Sequence, residues 1–183
     1  AIVGESGSGK SVTAFSITQL LPYPQASHPA GSSIKFHGDE LVGKKESAMR
    51  SIRGSKIGMI FQEPQSALNP LHTIEKQIAE MLIVHRNMSK KAAHARVLEL
   101  MDLVGLGHMK DRLNAYPHQL SGGMRQRAFI AMALSCNPSL LIADEPTTAL
   151  DVTVQAQILE LLQRLRRDFG SSIILITHDL GVV

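Results

Sequence analysis

Short apolar runs recur along the chain and predict the strands of a buried sheet. Residues 57–61, 140–143 and 173–177 are mainly apolar, and residues 1–3 resemble the end of a further buried strand. Strands that are apolar throughout are typical of a parallel sheet covered on both faces. Residues 32–36 alternate instead, which predicts an edge or antiparallel strand outside that sheet.

Longer segments between these runs carry apolar residues at helical spacing. Helices are predicted for residues 10–21, 73–84, 90–104, 121–135 and 153–167. Because strands and helices alternate, we expect an α/β fold with a parallel central sheet. The block from about residue 74 to 113 is almost entirely helical, and we expect an inserted helical subdomain over about residues 74–135.

Composition limits the class of protein without naming a function. The chain has 183 residues, which fits one domain, and 44 % of them are hydrophobic, which excludes a disordered chain. Cys136 is its single cysteine, so no disulfide framework is possible. No apolar run approaches the length of a membrane span. We expect a cytosolic protein that meets a membrane only through a partner.

The two ends of the sequence suggest a fragment. Ala1 is not preceded by a start methionine, and residues 1–3 look like the tail of a strand. Residues 179–183 look like the opening of a helix that is then cut. We expect a single domain over residues 1–183 that is truncated at both ends.

The strongest motif is a glycine-rich segment that follows the first strand and opens the first helix. It consists of Gly4, Glu5, Ser6, Gly7, Ser8, Gly9, Lys10 and Ser11. This G-x-x-x-x-G-K-[ST] pattern lets backbone N–H groups cradle phosphate oxygens, aided by the helix N-terminus. Lys10 can reach the β- and γ-phosphates of a nucleotide, and the Ser11 hydroxyl can ligate Mg²⁺. The sequence therefore predicts an ATP site with magnesium.

Two carboxylates follow the apolar strand at residues 140–143. Asp144 and Glu145 come at its C-terminal end, where open α/β sheets bind ligands. Asp144 is placed to hold the Mg²⁺ shell, as the matching acid does in phosphate-loop enzymes. Glu145 can polarise a water molecule for attack on the γ-phosphorus.

A third motif opens the helix predicted from residue 121. Ser121 reads as an N-cap and is followed by Gly122 and Gly123, which together expose N–H groups and a hydroxyl to an anion. The same residues also fit an ordinary capped helix without a ligand. A second molecule that supplies its own phosphates would explain a second anion-binding helix end.

Taken in order, these motifs resemble the ABC ATPase family over essentially the whole chain, and the Leu-Ser-Gly-Gly element is highly specific to it. The resemblance implies a P-loop NTPase (RecA-like) core with a parallel central sheet, an inserted helical subdomain and a partial antiparallel β-subdomain. It also implies four site roles. Gln62 would contact Mg²⁺ and the attacking water. Ser121, Gly122 and Gly123 would cap the γ-phosphate bound to the opposing subunit. Asp151 would lie at the dimer seam. His178 would contact the γ-phosphate and position Glu145.

Within the family, the sequence resembles the oligopeptide and dipeptide importer branch. Within that branch it is most similar to the Yej-type tandem ATPases for peptide and microcin C uptake. The stretches similar to this branch are residues 61–64, 68–73, 116–121 and 144–151, and residues 71–77 are particularly similar to the first cassette of the Yej-type ATPases. The resemblance implies a peripheral ATPase on the cytoplasmic face of the inner membrane. Its partners would be a second ABC ATPase domain, transmembrane permease subunits and, indirectly, a periplasmic or extracellular substrate-binding protein.

Two other functions remain open at this point. A soluble ABC ATPase that acts on ribosomes or DNA would carry the same motifs, although aromatic residues make up only 4 % of the chain and the net charge is +3, so we expect no nucleic-acid partner. A GTPase or small-molecule kinase is disfavoured, because the sequence contains no N-K-x-D guanine motif.

Overall fold

The computed structural model describes residues 1–63, 67–148, 150–179 and 181, apart from the side chain of Phe169. The described strands are β1 (Ile2–Val3), β2 (Lys35–Phe36), β3 (Asp39–Glu40), β4 (Ile57–Ile60), β5 (Leu140–Asp144) and β6 (Ser172–Thr177). The described helices are α1 (Lys10–Thr18), α2 (Glu46–Ile52), α3 (Ile74–Arg86), α4 (Lys90–Leu103), α5 (Gly122–Leu134) and α6 (Val152–Phe169). Two 3₁₀ helices, Gly107–Arg112 and Pro117–Gln119, lie between α4 and α5.

Four strands form a parallel sheet in the order β1-β6-β5-β4. Because all four run in one direction, their C-terminal ends meet at one edge; Asp144 on β5, for example, is in register with Ile176 on β6. A separate antiparallel pair is formed by β2 and β3. The predicted fold class, a P-loop NTPase with a parallel central sheet and a small antiparallel sheet, is confirmed.

Both faces of the sheet are buried, which explains the apolar strands. On one face Leu141 and Ala143 join a core that includes Phe129 of α5 and Leu100 of α4. On the other face Ile142 packs in a cluster with Ile176 of β6 and with side chains from the first half of the chain: Ala14, Leu41, Met49, Ile52 and Ile57. The period-two alternation of β5 therefore fills two cores rather than one.

The helical segment predicted over residues 74–135 packs on the sheet through α5. This helix contacts β4 as well as α3 and α4, and α3 packs against α4. Backbone N–H groups at the start of α3 donate to carbonyls after the first 3₁₀ helix: Ile74 to Ala115 and Glu75 to Leu113. Among the described residues, no helix is both long and apolar enough to cross a bilayer. The limits of the helical subdomain stay a prediction.

Several boundaries differ from those predicted. Helix α1 ends at Thr18 rather than Leu21, because Gln19 adopts a left-handed conformation (φ 52°) and closes the last turn with its own N–H. Helix α2 was not predicted, although it buries Met49 and Ile52. The helix opening predicted over residues 179–183 falls largely outside the described residues, as does Ala149 of the predicted dimer-seam motif.

Candidate active site

The four parallel strands deliver their following residues to one cleft. Glu5 lies two residues after β1, Gln62 lies two residues after β4, Glu145 follows β5 and His178 follows β6. Such an edge is where open α/β sheets bind ligands. The cleft has a volume of about 610 Å³, and its described lining consists of Glu5, Ser6, Gly7, Gly9, Lys10, Ser11, Val12, Gln62, Glu145, Thr148 and His178.

The glycine-rich loop curls around its own lysine. The Lys10 side chain is only 7 % exposed, and its Nζ donates to the carbonyl oxygens of Gly4 and Glu5, each at 2.7 Å. Gly7 (φ 81°) and Gly9 (φ 89°) adopt left-handed conformations that residues with a Cβ rarely take. The loop therefore holds a cation at its centre with neutral carbonyls, which phosphate oxygens can replace.

The first turn of α1 has no side-chain cap. Its N-cap residue is Gly9, which has no side chain to accept a hydrogen bond from the first N–H groups. The other four helices longer than α2 are each capped by a hydroxyl or carboxylate, from Thr73, Ser89, Ser121 and Asp151. Because Gly9, Lys10 and Ser11 line the cleft, the uncapped end and its partial positive charge face the space where an anion would bind.

Asp144 is buried with one oxygen that lacks a partner. Its exposure is 2 %, and its Oδ1 has no hydrogen-bond donor among the described residues. Burial and the nearby charge of Glu145 raise the pKa of Asp144, whereas a hydrogen bond from Ser11 and the charge of Lys10 oppose this rise. A bound cation would relieve the cost of this buried carboxylate.

The oxygen atoms around Asp144 fit the ligands of a magnesium ion. Ser11, Gln62 and Asp144 line a second cleft of about 420 Å³ next to the first. Mg²⁺ prefers oxygen ligands and is usually held by one or two protein groups together with substrate phosphates. The Ser11 hydroxyl and the unpartnered Asp144 oxygen match that requirement.

Glu145 is oriented from several directions. Its backbone is left-handed (φ 46°), and its N–H donates to the Ile176 carbonyl at 2.9 Å. Its Oε1 lies 3.2 Å from His178 Nδ1. Its Oε2 accepts from Gln62 Nε2 at 3.1 Å and from Thr148 Oγ1 at 2.9 Å. The structure thus brings together the three residues that were predicted as catalytic. Thr148 was not singled out, although a hydroxyl three residues after Glu145 was its signal in the sequence.

The structure does not bring the third motif into this site. Ser121, Gly122, Gly123 and Asp151 are absent from the described lining of both clefts. Within one copy of the chain, these four residues therefore do not face the glycine-rich loop.

Ser121 of the third motif and Asp151 each cap the start of a helix. Ser121 Oγ accepts a hydrogen bond from Met124 N at 3.3 Å and caps α5, while Asp151 Oδ1 accepts from Val154 N at 2.9 Å and caps α6. The two helix starts are also packed together. A Cβ added at Gly123 would lie 3.0 Å from Val154 Cγ1, so a side chain there would require Val154 to shift by a few tenths of an ångström.

Comparisons with known proteins identify the family of this chain. The family model described as "ABC transporter" matches residues 1–148. The chain is 61 % identical over its whole length to the peptidoglycan transport ATP-binding protein YejF of Agrobacterium fabrum, and covers 33 % of that protein. It is 57 % identical over its whole length to the oligopeptide transport ATP-binding protein OppD of Bacillus subtilis, and covers 51 % of it. The chain thus spans between a third and about half of these relatives.

A solved structure gives the same fold. It is the dimeric, post-hydrolysis state of the ATP-binding cassette MJ0796 bound to ADP and Pi, which matches with a TM-score of 0.84 and 33 % identity. The match covers 99 % of this chain and 75 % of that one. The sheet edge described above, the family match over residues 1–148 and these relatives lead to one conclusion: the chain belongs to the ABC transporter family.

Proposed function

We propose that this chain is the ATP-hydrolysing domain of a bacterial ABC importer that powers uptake of oligopeptides, dipeptides or related peptide compounds. One observation carries the proposal: the Glu145 carboxylate is held by Gln62, Thr148 and His178 beside the glycine-rich loop. This arrangement supports a base beside the terminal phosphate of a bound ATP. Two relatives are named as ATP-binding proteins of peptidoglycan transport and of oligopeptide transport, which supports the choice of cargo.

Phosphate binding follows from the geometry of the loop. Gly4, Glu5, Ser6, Gly7, Ser8, Gly9, Lys10 and Ser11 form the cradle. The N–H groups at the uncapped start of α1 donate to phosphate oxygens. Lys10 exchanges its two carbonyl partners for β- and γ-phosphate oxygens, which replaces neutral acceptors by charged ones and so strengthens both hydrogen bonds. Catalysis then rests on positioning and charge stabilisation rather than on covalent chemistry.

Glu145 acts on the attacking water. Its carboxylate accepts a proton from a water molecule aimed at the γ-phosphorus, and the donors on its Oε2 hold it in one orientation. His178 contacts the same carboxylate and positions it towards the γ-phosphate. Asp144, Ser11 and Gln62 would hold Mg²⁺, which when bound supplies positive charge to the β- and γ-phosphate oxygens.

The third motif acts across a dimer. Ser121, Gly122 and Gly123 start a helix outside the chain's own cleft, and we propose that they cap the γ-phosphate bound to a second ABC ATPase domain, with Asp151 at the seam. MJ0796, which has the same fold, is dimeric with ADP and Pi. The second domain is another copy, a sister chain or another part of the same polypeptide.

The motor works at the cytoplasmic face of the inner membrane as a peripheral protein. Permease subunits dock near residues 62–73 and convert closure of the dimer into alternating access, and a periplasmic or extracellular substrate-binding protein delivers the cargo to them.

The alternative, a soluble ABC ATPase on ribosomes or DNA, is disfavoured because the named relatives are transport proteins. No nucleic-acid partner is proposed.

The variant Glu145→Gln tests the proposed chemistry. Glutamine keeps the shape of the side chain beside Gln62 and Thr148 but cannot act as a base. Mg·ATP should therefore bind with unchanged affinity, while kcat falls by about 10²- to 10⁴-fold. The control is Glu99→Gln, an exposed change on α4 that should leave both quantities unchanged. Near-normal hydrolysis by Glu145→Gln in the assembled transporter would remove Glu145 from the role of base.

A further inference from the structure

A buried glutamine joins α5 to the turn that carries Glu145. Gln126 lies one turn after the start of α5 and is 2 % exposed. Its side-chain Nε2 donates to the carbonyl oxygen of Pro146 at 2.7 Å, in a buried hydrogen bond that spans 20 residues of sequence. A buried amide with a partner at this distance is fixed in position, because breaking the bond would leave two polar groups without partners.

The turn that receives this bond needs support. Glu145 has a left-handed backbone, which is uncommon for a residue with a Cβ and persists only where surrounding contacts enforce it. Two backbone bonds contribute: Glu145 N–H to Ile176 and Thr148 N–H to the Glu145 carbonyl at 3.2 Å. Gln126 supplies the contact on the next residue, Pro146, from a different element of the fold.

We propose that Gln126 is a positioning residue for the Glu145 carboxylate and that it links the start of α5 to the catalytic turn. This inference rests on the proposed function, since it assumes that Glu145 activates water. A shift of α5, when Ser121 and the adjacent glycines bind the partner's nucleotide, is passed through the Gln126–Pro146 bond to Glu145 of the chain's own site. One ATP site thereby reports its occupancy to the other.

Other contacts between α5 and its surroundings do not reach the carboxylate. Arg127 donates to the carbonyl of Val104, which directly follows α4, at 2.8 Å, and to Oε1 of Gln157, which lies on α6, at 2.7 Å. Gly123 approaches Val154, which lies on α6. Among the described hydrogen bonds of α5 side chains, the Gln126 bond is the one that ends beside Glu145.

The chain offers a matched control at the other end of the same strand. Ser171 is buried, and its Oγ donates to the Pro138 carbonyl at 2.6 Å, just before β5 begins. Like Gln126, it links a side chain to a proline carbonyl next to β5, but at the edge opposite to Glu145. Ser171→Ala therefore removes a comparable bond without touching the catalytic turn.

The experiment compares Gln126→Met, which keeps the length but loses the donor, with Ser171→Ala in the natural full-length protein. Mg·ATP affinity, kcat and urea unfolding are measured for each variant. Gln126→Met should lower kcat by about 10- to 100-fold with unchanged affinity, since a small misplacement of a reacting group has that effect. Ser171→Ala should leave kcat unchanged. If Gln126→Met does not fold, Gln126→Asn, which keeps the amide but cannot reach Pro146, replaces it.

A double variant separates positioning from general destabilisation. In the Glu145→Gln background, single-turnover hydrolysis should not fall further when Gln126→Met is added, because Gln126 acts through Glu145. Wild-type kcat in Gln126→Met, or equal losses in Gln126→Met and Ser171→Ala, would overturn the inference while leaving the ATPase proposal intact. Failure of the ATPase proposal shows instead as normal hydrolysis by Glu145→Gln alone.

Discussion

The starts of α1 and α5 look alike in the sequence and differ in the structure. Both helices follow glycine-rich motifs that can expose N–H groups to an anion. The start of α1 has Gly9 as its N-cap, has no side-chain cap and lines the 610 Å³ cleft. The start of α5 is capped by Ser121 and packed against α6 through Gly123.

The difference separates a site that is complete within one chain from one that is not. The α1 end has its lysine and the proposed base in one cleft, and its buried carboxylate lines the adjoining cleft. The α5 end is satisfied by its own serine, so within one copy it needs no ligand. A phosphate-binding role for α5 therefore requires a second domain to bring a nucleotide to it. The predictions below test that division.

Replacing the cap of α5 should give the largest contrast. Ser121→Ala should lower the free energy of unfolding by about 1 kcal/mol, as loss of an N-cap does. It should also lower kcat of the assembled ATPase by about 100-fold, the loss expected for one transition-state donor. Ser89→Ala is the matched control, because Ser89 Oγ accepts from Ala92 N at 3.3 Å, the same distance as at Ser121. It should cost similar stability with no change in kcat; equal kcat for the two variants would show that Ser121 is only a cap.

Neutralising the buried carboxylate should affect only the α1 end. Asp144→Asn should weaken magnesium-dependent ATP binding by about 2 kcal/mol, or roughly 30-fold, through loss of a charge-assisted contact. Binding of ATP without Mg²⁺ should change little or improve. Isothermal titration with and without Mg²⁺ measures both, and equal Mg²⁺ dependence in variant and wild type would contradict the assignment.

Asp144→Asn should also change the free energy of unfolding of the protein without ligand. Burial raises the folded-state pKa of Asp144 above its value in the unfolded chain, so the native state retains its proton longer than the unfolded state as pH rises. Stability is then lost as pH rises from the unfolded pKa through the folded one. Asp144→Asn removes this loss and should unfold at higher urea concentration than wild type at neutral pH. A less stable variant at every pH would contradict this reasoning.

The smallest contrast lies between the two glycines of α5. A Cβ at Gly122 would meet Leu150 Cδ2 at 3.9 Å, an ordinary contact, so Gly122→Ala should stabilise by up to about 1 kcal/mol through helix propensity. Gly123→Ala should destabilise by about 1 kcal/mol or more because of the close contact with Val154. Adding Val154→Ala should reverse that loss. Urea unfolding of the three variants measures these changes in stability, and an equal response at both glycines would mean that packing does not explain the glycine at position 123.

The elements predicted correctly from the sequence are those whose apolar residues recur with a clear period. The apolar strands at residues 140–143 and 173–177 and the helix capped by Ser121 lie within one or two residues of their predicted ends. The two-stranded sheet was foreseen only in its first strand, since β2 and β3 contain two residues each. Their turn uses His37 (φ 50°) and Gly38 (φ 86°), which is not the Asn-Gly signal of a tight hairpin.

Contacts between distant residues lay outside the reach of the sequence. Gln62 and Glu145 are 83 residues apart and meet because β4 and β5 are neighbours in the sheet. Gln126 carries no motif of its own, and only its buried bond to Pro146 reveals it. The family resemblance supplied the roles of Gln62 and His178, whereas the spacing of residues alone did not.

Equilibrium binding of Mg·ATP to the wild type, Lys10→Ala and Ser121→Ala tests the central division most directly. Lys10→Ala should lose about 3 kcal/mol, or more than 100-fold in affinity, because two charge-assisted contacts to phosphate disappear. Ser121→Ala should bind like the wild type, since its serine does not line the cleft. Equal loss of affinity in both variants, with both proteins folded by circular dichroism, would contradict the account, because the α5 end would then belong to the chain's own site.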